Sequence, residues 1–189
     1  MNILVAGAGA LGSQIAFWLA RPGVRLYIWD DDRVEPHNVG TTVYYEHHVG
    51  RSKAISLCGI VLRRGGTVLG YNNTQLTFNT LENCMGLIQF DLFVDCFDNF
   101  ESRSLLPVHP VVHVGVSQHQ TGSVEWNETW KPPAASAPRG SNPVCTHQLG
   151  VPILRSTALS AVWAIEQYAD SGRCFNAVVT PRSSIWHKI

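Results

Sequence analysis

A glycine-rich segment near the N-terminus constrains the fold of this chain more than any other feature. An aliphatic, strand-like run ends where the segment begins, and a helical pattern follows it. Glycines at the spacing G-x-G-x-x-G permit a tight turn and a close backbone approach to a ligand. The helix that follows then offers unpaired N–H groups to a phosphate. The candidate phosphate-binding residues are Gly7, Gly9, Ala10 and Gly12.

An acidic residue follows the second predicted strand. Asp30 lies eighteen residues after Gly12, where a carboxylate can accept hydrogen bonds from ribose hydroxyls. The glycines and this carboxylate together indicate an adenine nucleotide, and NAD is the commoner ligand of such a fingerprint. An NAD(P)-dependent oxidoreductase is therefore one alternative, although the sequence shows no proton donor arranged for hydride transfer.

Strand and helix patterns alternate along the chain and predict an α/β fold, Rossmann-like and doubly wound, with a mostly parallel sheet. The predicted strands are residues 2–6, 24–29, 67–71, 91–95 and 111–116. The predicted helices are residues 11–21, 51–64, 80–89, 100–105 and 152–169. Antiparallel strands are expected toward the C-terminus, at residues 122–126 and at residues 174–180, which are predicted to close the chain.

The remaining segments are predicted to be loops within a single domain that covers residues 1–189. Residues 33–49 have mixed polarity and predict a loop with one helical turn. Residues 131–143 are rich in Pro, Ala, Ser and Gly, so they cannot bury much surface and are expected to form a mobile crossover loop.

Composition excludes several functional classes. Fourteen basic residues balance fourteen acidic ones, which argues against a nucleic-acid or anionic-membrane surface. No apolar run approaches the roughly 20 residues of a bilayer span. The chain begins with a strand and has no basic leader, so we expect a cytoplasmic protein. Sparse charge and six tryptophans favour a homodimer that covers apolar surface.

Three further segments resemble the E1-like activating enzymes, the family that includes the ThiF and MoeB sulfur-carrier activators. The segments are DDDRVEPHN at residues 30–38, GRSKA at residues 50–54 and DCFDNFESR at residues 95–103. The resemblance resumes with LGV at residues 149–151 and AIE at residues 164–166. Members of this family adenylate the C-terminus of ubiquitin-like proteins, so the resemblance implies a minimal E1-like ATP-binding domain.

The resemblance also implies roles for individual residues. Lys53 would place a compact cation against the phosphates of ATP, and Asp98 would hold Mg²⁺, which is usually bound by one or two carboxylates and phosphate oxygens. The remaining residues expected at the nucleotide are Asp30 at the ribose, Asp32, Asn38 at a phosphate, and Asn99. The five cysteines include no C-x-x-C pair, so no structural zinc is expected.

Two departures from the family pattern concern the reaction itself. The family normally carries Arg and Gln three and four positions after the loop asparagine, where this chain has Thr41 and Thr42. Hydroxyls cannot neutralise developing phosphate charge as a guanidinium does, and Arg51 is the candidate to compensate. Cys145 lies near the position of a catalytic cysteine in some relatives, and its place before a helix N-terminus favours the thiolate.

These observations predict ATP-dependent adenylation of the C-terminal carboxylate of a ubiquitin-like or sulfur-carrier protein or peptide. Transfer of the acyl group to a cysteine thiol is a further expected step. Because the arginine is missing, the alternative is a catalytically impaired module of the same fold that only binds nucleotide or carrier protein.

Overall fold

The computed structural model describes residues 1–106, 110–127, 130, 145 and 150–189. Its strands are β1 (Asn2–Ala6), β2 (Arg25–Trp29), β3 (Thr67–Asn72), β4 (Leu92–Asp95), β5 (Val111–Val116), β6 (Gly122–Trp126), β7 (Phe175–Val179) and β8 (Ser184–Lys188). Its helices are α1 (Gly12–Leu19), α2 (Lys53–Arg63), α3 (Phe78–Leu87), α4 (Phe100–Arg103) and α5 (Val151–Ser171). Two short 3₁₀ turns lie at Pro36–Asn38 and Glu46–His48.

The strands form one sheet in the order β3-β2-β1-β4-β5-β6-β7-β8. The first five strands in this order, β3, β2, β1, β4 and β5, pair in parallel. Strands β6, β7 and β8 are antiparallel to their neighbours. The predicted α/β, mostly parallel sheet with antiparallel strands toward the C-terminus is confirmed.

The parallel strands end together at one edge of the sheet. Ala6, the last residue of β1, is in register with Trp29 of β2 on one side and with Asp95 of β4 on the other. The chain runs from β1 to β2 in one direction and returns past β1 to add β4. Because ligands of open α/β sheets bind where the strand order reverses, beyond the carboxyl ends of the strands, this edge is the expected site.

Two apolar clusters hold the helices against the sheet. The larger joins β1, β2 and β4 to α1, α2 and α5, and the smaller packs α3 against the opposite face. Strands β1 and β4 are buried on both faces, as is typical of parallel strands covered by helices. In the part of the chain that the structure describes, no helix is long and apolar enough to span a membrane.

Three local predictions need correction or comment. Residues 174–180 were predicted to be the last strand, but β8 follows β7 and pairs with it. Most of β8 is exposed, so its sequence lacks the alternation that marks a half-buried strand. Helix α3 begins earlier than predicted because the Thr77 hydroxyl accepts a hydrogen bond from the Thr80 N–H, 3.2 Å away. The predicted crossover loop, residues 131–143, lies outside the described residues.

Candidate functional site

The glycine-rich loop lies between β1 and α1, at the carboxyl edge of the sheet. Gly7 has a φ of +93°, and a Cβ there would come 2.9 Å from the Cys96 carbonyl oxygen. A Cβ on Gly12 would overlap the Gly7 carbonyl. A Cβ on Gly9 would meet nothing within 4 Å. Gly7 and Gly12 therefore serve the turn and its packing, while the space beside Gly9 is open to a ligand such as a phosphate.

Asp30 is buried directly after β2 and ties the glycine-rich loop to that strand. One carboxylate oxygen accepts a hydrogen bond from the Ala8 N–H, 2.6 Å away, and the other accepts one from the Asp32 N–H, 2.9 Å away. Burial raises the pKa of Asp30, and the charge of Lys53 opposes that shift. Asp30 thus holds the backbone of the loop in place, and its predicted contact with a ribose stays a prediction.

Lys53 opens α2 and points its charge at the end of β2. Its Nζ lies 2.9 Å from the Asp32 carboxylate, and the Lys53 side chain is only 12% exposed while that of Asp32 is 41% exposed. The Lys53 N–H also donates to the Asp32 carbonyl oxygen, 2.9 Å away. An ammonium group that is bound on one side by a carboxylate can still donate to phosphate oxygens, because it carries three hydrogens.

In the loop after β2, several polar side chains form hydrogen bonds with the backbone of the loop itself. The Asn38 side-chain oxygen accepts a hydrogen bond from the Glu35 N–H at 2.9 Å. The Thr42 hydroxyl donates to the Asn38 carbonyl oxygen at 2.7 Å, and the buried Thr41 hydroxyl lies 3.3 Å from the His37 carbonyl oxygen. The two threonines that stand in place of the family's Arg and Gln therefore stabilise a turn and bring no charge. Arg51 lies on the surface of this region.

A buried polar cluster at the end of β4 was not foreseen from the sequence. The Asp95 carboxylate lies 2.7 Å from His113 Nδ1 and 3.6 Å from Arg103 Nε. Arg103 also donates to the Phe97 carbonyl oxygen at 2.6 Å, and the Trp130 ring stacks on His113 with centroids 3.8 Å apart. Asp95 and His113 are register partners on β4 and β5, a relation that neither segment reveals alone. The cluster anchors the loop that carries Asp98.

Asp98 and Asn99 lie at the start of α4, on the other side of the glycine-rich loop from Lys53. The Asp98 side chain is exposed, and Asn99 Nδ2 lies 3.5 Å from its carboxylate. The Asn99 side-chain oxygen caps α4 by accepting a hydrogen bond from the Ser102 N–H at 2.8 Å. A single exposed carboxylate suits Mg²⁺, which usually keeps several waters. Within the described ranges, no three or more His, Cys, Asp or Glu side chains are grouped to hold a metal ion by themselves.

Cys145 is half-buried and packs against the larger apolar cluster. Burial raises the pKa of its thiol to about 11, and the negative charge of Asp98 adds to that shift. The thiol is therefore protonated at neutral pH, contrary to the expectation of a thiolate, because desolvation outweighs any effect of the following helix. The influence of Asp98 also means that Cys145 lies near the β4 side of the site.

A cavity of about 230 Å³ opens beyond the carboxyl ends of β3 and β4, between the loop after β3 and α4. Buried Leu76 and exposed Phe78 make it partly apolar. Its lining residues are Gln75, Leu76, Thr77, Phe78, Glu101, Ser102 and Leu105.

The structure thus brings most of the predicted residues to one edge of the sheet. The glycine-rich loop, Asp30, Asp32 and Lys53 form one hydrogen-bonded group. Asp98 and Asn99 follow β4, and Cys145 is near them. The Asn38 side chain accepts a hydrogen bond from the backbone of its own loop, and Arg51 is exposed to solvent.

Residues 1–130 match the family described as the ThiF family. The adenylyltransferase and sulfurtransferase MOCS3 of Xenopus laevis is 35% identical over 108 residues, which cover 56% of this chain and 24% of that protein. The ubiquitin-like modifier-activating enzyme 5 of Bombyx mori is 29% identical over 113 residues, 54% of this chain and 29% of that protein.

Solved structures agree on the fold. The structure of E. coli MccB with MccA-N7isoASN has a TM-score of 0.74 at 14% identity and covers all of this chain and 64% of that one. The structure of E. coli MccB with ATP has a TM-score of 0.70 at 14% identity, with coverage of 100% and 63%. The chain spans about a quarter of the length of the curated relatives named above. Because the family match extends over well more than half of its residues, the chain belongs to the ThiF family, which confirms the resemblance to E1-like activating enzymes.

Proposed function

We propose that this chain binds ATP with Mg²⁺ and adenylates the C-terminal carboxylate of a ubiquitin-like or sulfur-carrier protein or peptide. The observation that carries the proposal is the arrangement around the glycine-rich loop. Lys53 is held beside the loop by Asp32 at 2.9 Å, and the exposed Asp98 follows the neighbouring strand β4. The names of the relatives support the reaction class, and the MccB structure with ATP supports the choice of nucleotide.

The proposed reaction is a displacement at the α-phosphate. A carboxylate oxygen of the carrier forms a bond to the α-phosphorus, the bond to the bridging oxygen breaks, and pyrophosphate leaves with the electron pair. Negative charge grows on phosphate oxygens, so positioned cations and N–H groups are the expected source of rate enhancement. Lys53 would supply one cation, and the backbone beside Gly9 would hold phosphate oxygens. Magnesium, when bound, would neutralise charge on the phosphates, and Asp98 would hold it.

We propose that the nucleotide's base binds in the cavity between helix α4 and the loop that follows β3. It opens at the same edge of the sheet and has both an apolar wall at Leu76 and polar groups at Gln75 and Ser102. A flat heterocycle needs this combination of apolar contact and a few hydrogen-bonding groups.

A second candidate function is a module that binds nucleotide or carrier protein without catalysis. The observation that favours it is the use of Thr41 and Thr42 as turn-forming residues, since neither brings a positive charge to the phosphates. ATP binding without pyrophosphate exchange would support this module. Preference for NADH over ATP would instead support the oxidoreductase alternative.

We also propose a homodimer and retain the thiol transfer step as a proposal. Exposed Trp18, Leu159 and Trp163 on α1 and α5 support an apolar contact surface. Transfer to Cys145 would require a local opening, because its thiol is half-buried and protonated.

The proposal is tested by ATP binding and by pyrophosphate exchange with Mg²⁺ and carrier peptides, in the unmodified chain and in Asp98→Ala. We expect Asp98→Ala to abolish Mg²⁺-dependent exchange and leave the circular dichroism spectrum unchanged, because Asp98 is exposed. Asp170→Ala is the matched control, since Asp170 is exposed near the end of α5. Exchange that survives Asp98→Ala would remove Asp98 as the metal ligand, and absence of ATP binding in the unmodified chain would refute the proposed function.

A further inference from the structure

Tyr44 places a hydroxyl group beneath the candidate nucleotide site. It lies between the two 3₁₀ turns, and only 2% of its surface is exposed. The hydroxyl donates to the Ala8 carbonyl oxygen at 2.8 Å and lies 3.2 Å from the Lys53 carbonyl oxygen. Ala8 belongs to the glycine-rich loop and Lys53 opens α2, so one side chain links the two segments proposed to bind phosphate.

These two contacts close a ring of polar interactions. The Ala8 N–H donates to Asp30, and Asp30 also accepts from the Asp32 N–H. Asp32 binds the Lys53 ammonium at 2.9 Å, and the Lys53 carbonyl returns to Tyr44. Each of these segments is thereby held to the next, and the Tyr44 hydroxyl contacts both the Ala8 and the Lys53 carbonyl oxygens.

We propose that Tyr44 is a positioning residue whose hydroxyl holds Lys53 and the glycine-rich loop at the separation that a triphosphate requires. This inference rests on the proposed function, because it concerns how the same site binds ATP.

The chemistry of the hydroxyl supports positioning rather than packing alone. A phenylalanine ring would fill the same space, and a buried hydroxyl is costly unless it is hydrogen-bonded. Burial and the nearby Asp30 charge raise the pKa of Tyr44 well above its usual value. The hydroxyl therefore stays protonated throughout the physiological pH range, with its one hydrogen directed to the nearer Ala8 carbonyl oxygen or shared with that of Lys53.

The test compares Tyr44→Phe with Tyr45→Phe in the full chain. Tyr45 is the adjacent tyrosine, and 63% of its surface is exposed, which makes it a matched control. Binding of ATP with Mg²⁺ and binding of adenosine are measured by calorimetry. We expect Tyr44→Phe to weaken ATP binding about tenfold and to change adenosine binding less than about twofold, because the two segments that Tyr44 links are those proposed to bind phosphate. Tyr45→Phe should change neither.

A double-mutant cycle with Lys53→Met separates positioning from general loosening. If Tyr44 acts through Lys53, Tyr44→Phe should weaken ATP binding by less than about twofold once Lys53 is already replaced. Additive losses, or equal losses for ATP and adenosine, would overturn the inference. Unchanged ATP affinity in Tyr44→Phe would by itself overturn the inference. An unmodified chain that binds no ATP would refute the proposed function and this inference with it.

Discussion

On the β2 side of the glycine-rich loop, the partly exposed Asp32 carboxylate lies 2.9 Å from the Lys53 ammonium. On the β4 side, the exposed Asp98 carboxylate lies 3.5 Å from the Asn99 amide nitrogen. Both sides otherwise follow one plan, in which a buried aspartate, Asp30 or Asp95, accepts an N–H from the loop that follows it. A more exposed aspartate follows two residues later in Asp32 and three residues later in Asp98.

The difference between the buried and the more exposed aspartates is where their oxygens lie, within the fold or at its surface. The buried pair has its oxygens committed to backbone and side-chain partners within the protein. Asp32 is paired with Lys53 at 2.9 Å, and the side chain of Asp98 is exposed. The β2 side thus contains an ion pair, and the β4 side carries the exposed aspartate that we propose as the Mg²⁺ ligand.

The largest expected effect comes from Asp95→Ala, which breaks the buried cluster on the β4 side. Removal of the carboxylate takes away the group 2.7 Å from His113 Nδ1 and the counter-charge of Arg103, which keeps its hydrogen bonds to backbone carbonyl oxygens. Loss of one partner of a buried pair costs about 3–5 kcal/mol of the free energy of unfolding. Urea denaturation measures this change, with Asp170→Ala as an exposed control. A loss below about 1 kcal/mol would mean that the cluster does not anchor this side.

A second prediction concerns Cys145, near Asp98. Its pKa of about 11 makes the thiolate about a hundredfold rarer at pH 7 than in an unshifted cysteine. Alkylation by iodoacetamide, followed by mass spectrometry, should therefore be slow at pH 7 and rise about tenfold per pH unit up to pH 11. Cys145→Ser identifies the modified residue. Rapid alkylation at pH 7 would show that the Cys145 thiol is deprotonated, as the sequence predicts, and would contradict the raised pKa.

The β2 side offers the direct counterpart of the first prediction. Asp30→Asn retains one acceptor oxygen and loses the other, so either the Ala8 or the Asp32 N–H loses its partner. We expect a loss of about 1–3 kcal/mol in the free energy of unfolding, smaller than for Asp95→Ala because no buried cation is stranded. A larger loss than that of Asp95→Ala would reverse the comparison between the two sides.

The smallest effects are expected at the helix caps on the two sides. Asn99 caps α4 at 2.8 Å, and Ser52 caps α2 at 3.4 Å. Replacement of Asn99 by alanine should cost about 1 kcal/mol, and replacement of Ser52 should cost less, because its hydrogen bond is longer. Thermal denaturation of both variants checks the order. The opposite order would show that the longer helix depends more on its cap.

Much of the site could be predicted because it follows local patterns. The glycine spacing and the residues that follow β2 and β4 predicted that the candidate site lies at one edge of the sheet. In the structure, these residues lie at that edge. The pairing of Asp95 with His113 could not be predicted, since it depends on the register between two strands fifteen residues apart in the chain. Strand β8 was not predicted, because a mostly exposed edge strand does not need the alternation of apolar and polar residues that marks a half-buried strand.

The amino-acid order by itself determined the family, the alternation of strands and helices, and the identity of the charged groups. These properties depend on residue type and short-range spacing, which the chain carries before it folds. Folding alone decided which aspartates are buried, that Lys53 meets Asp32, that the Thr41 and Thr42 hydroxyls bind their own loop, and that the Cys145 thiol stays protonated. Burial and long-range contacts set the hydrogen bonds and pKa values of these groups, and both arise only when distant segments pack together.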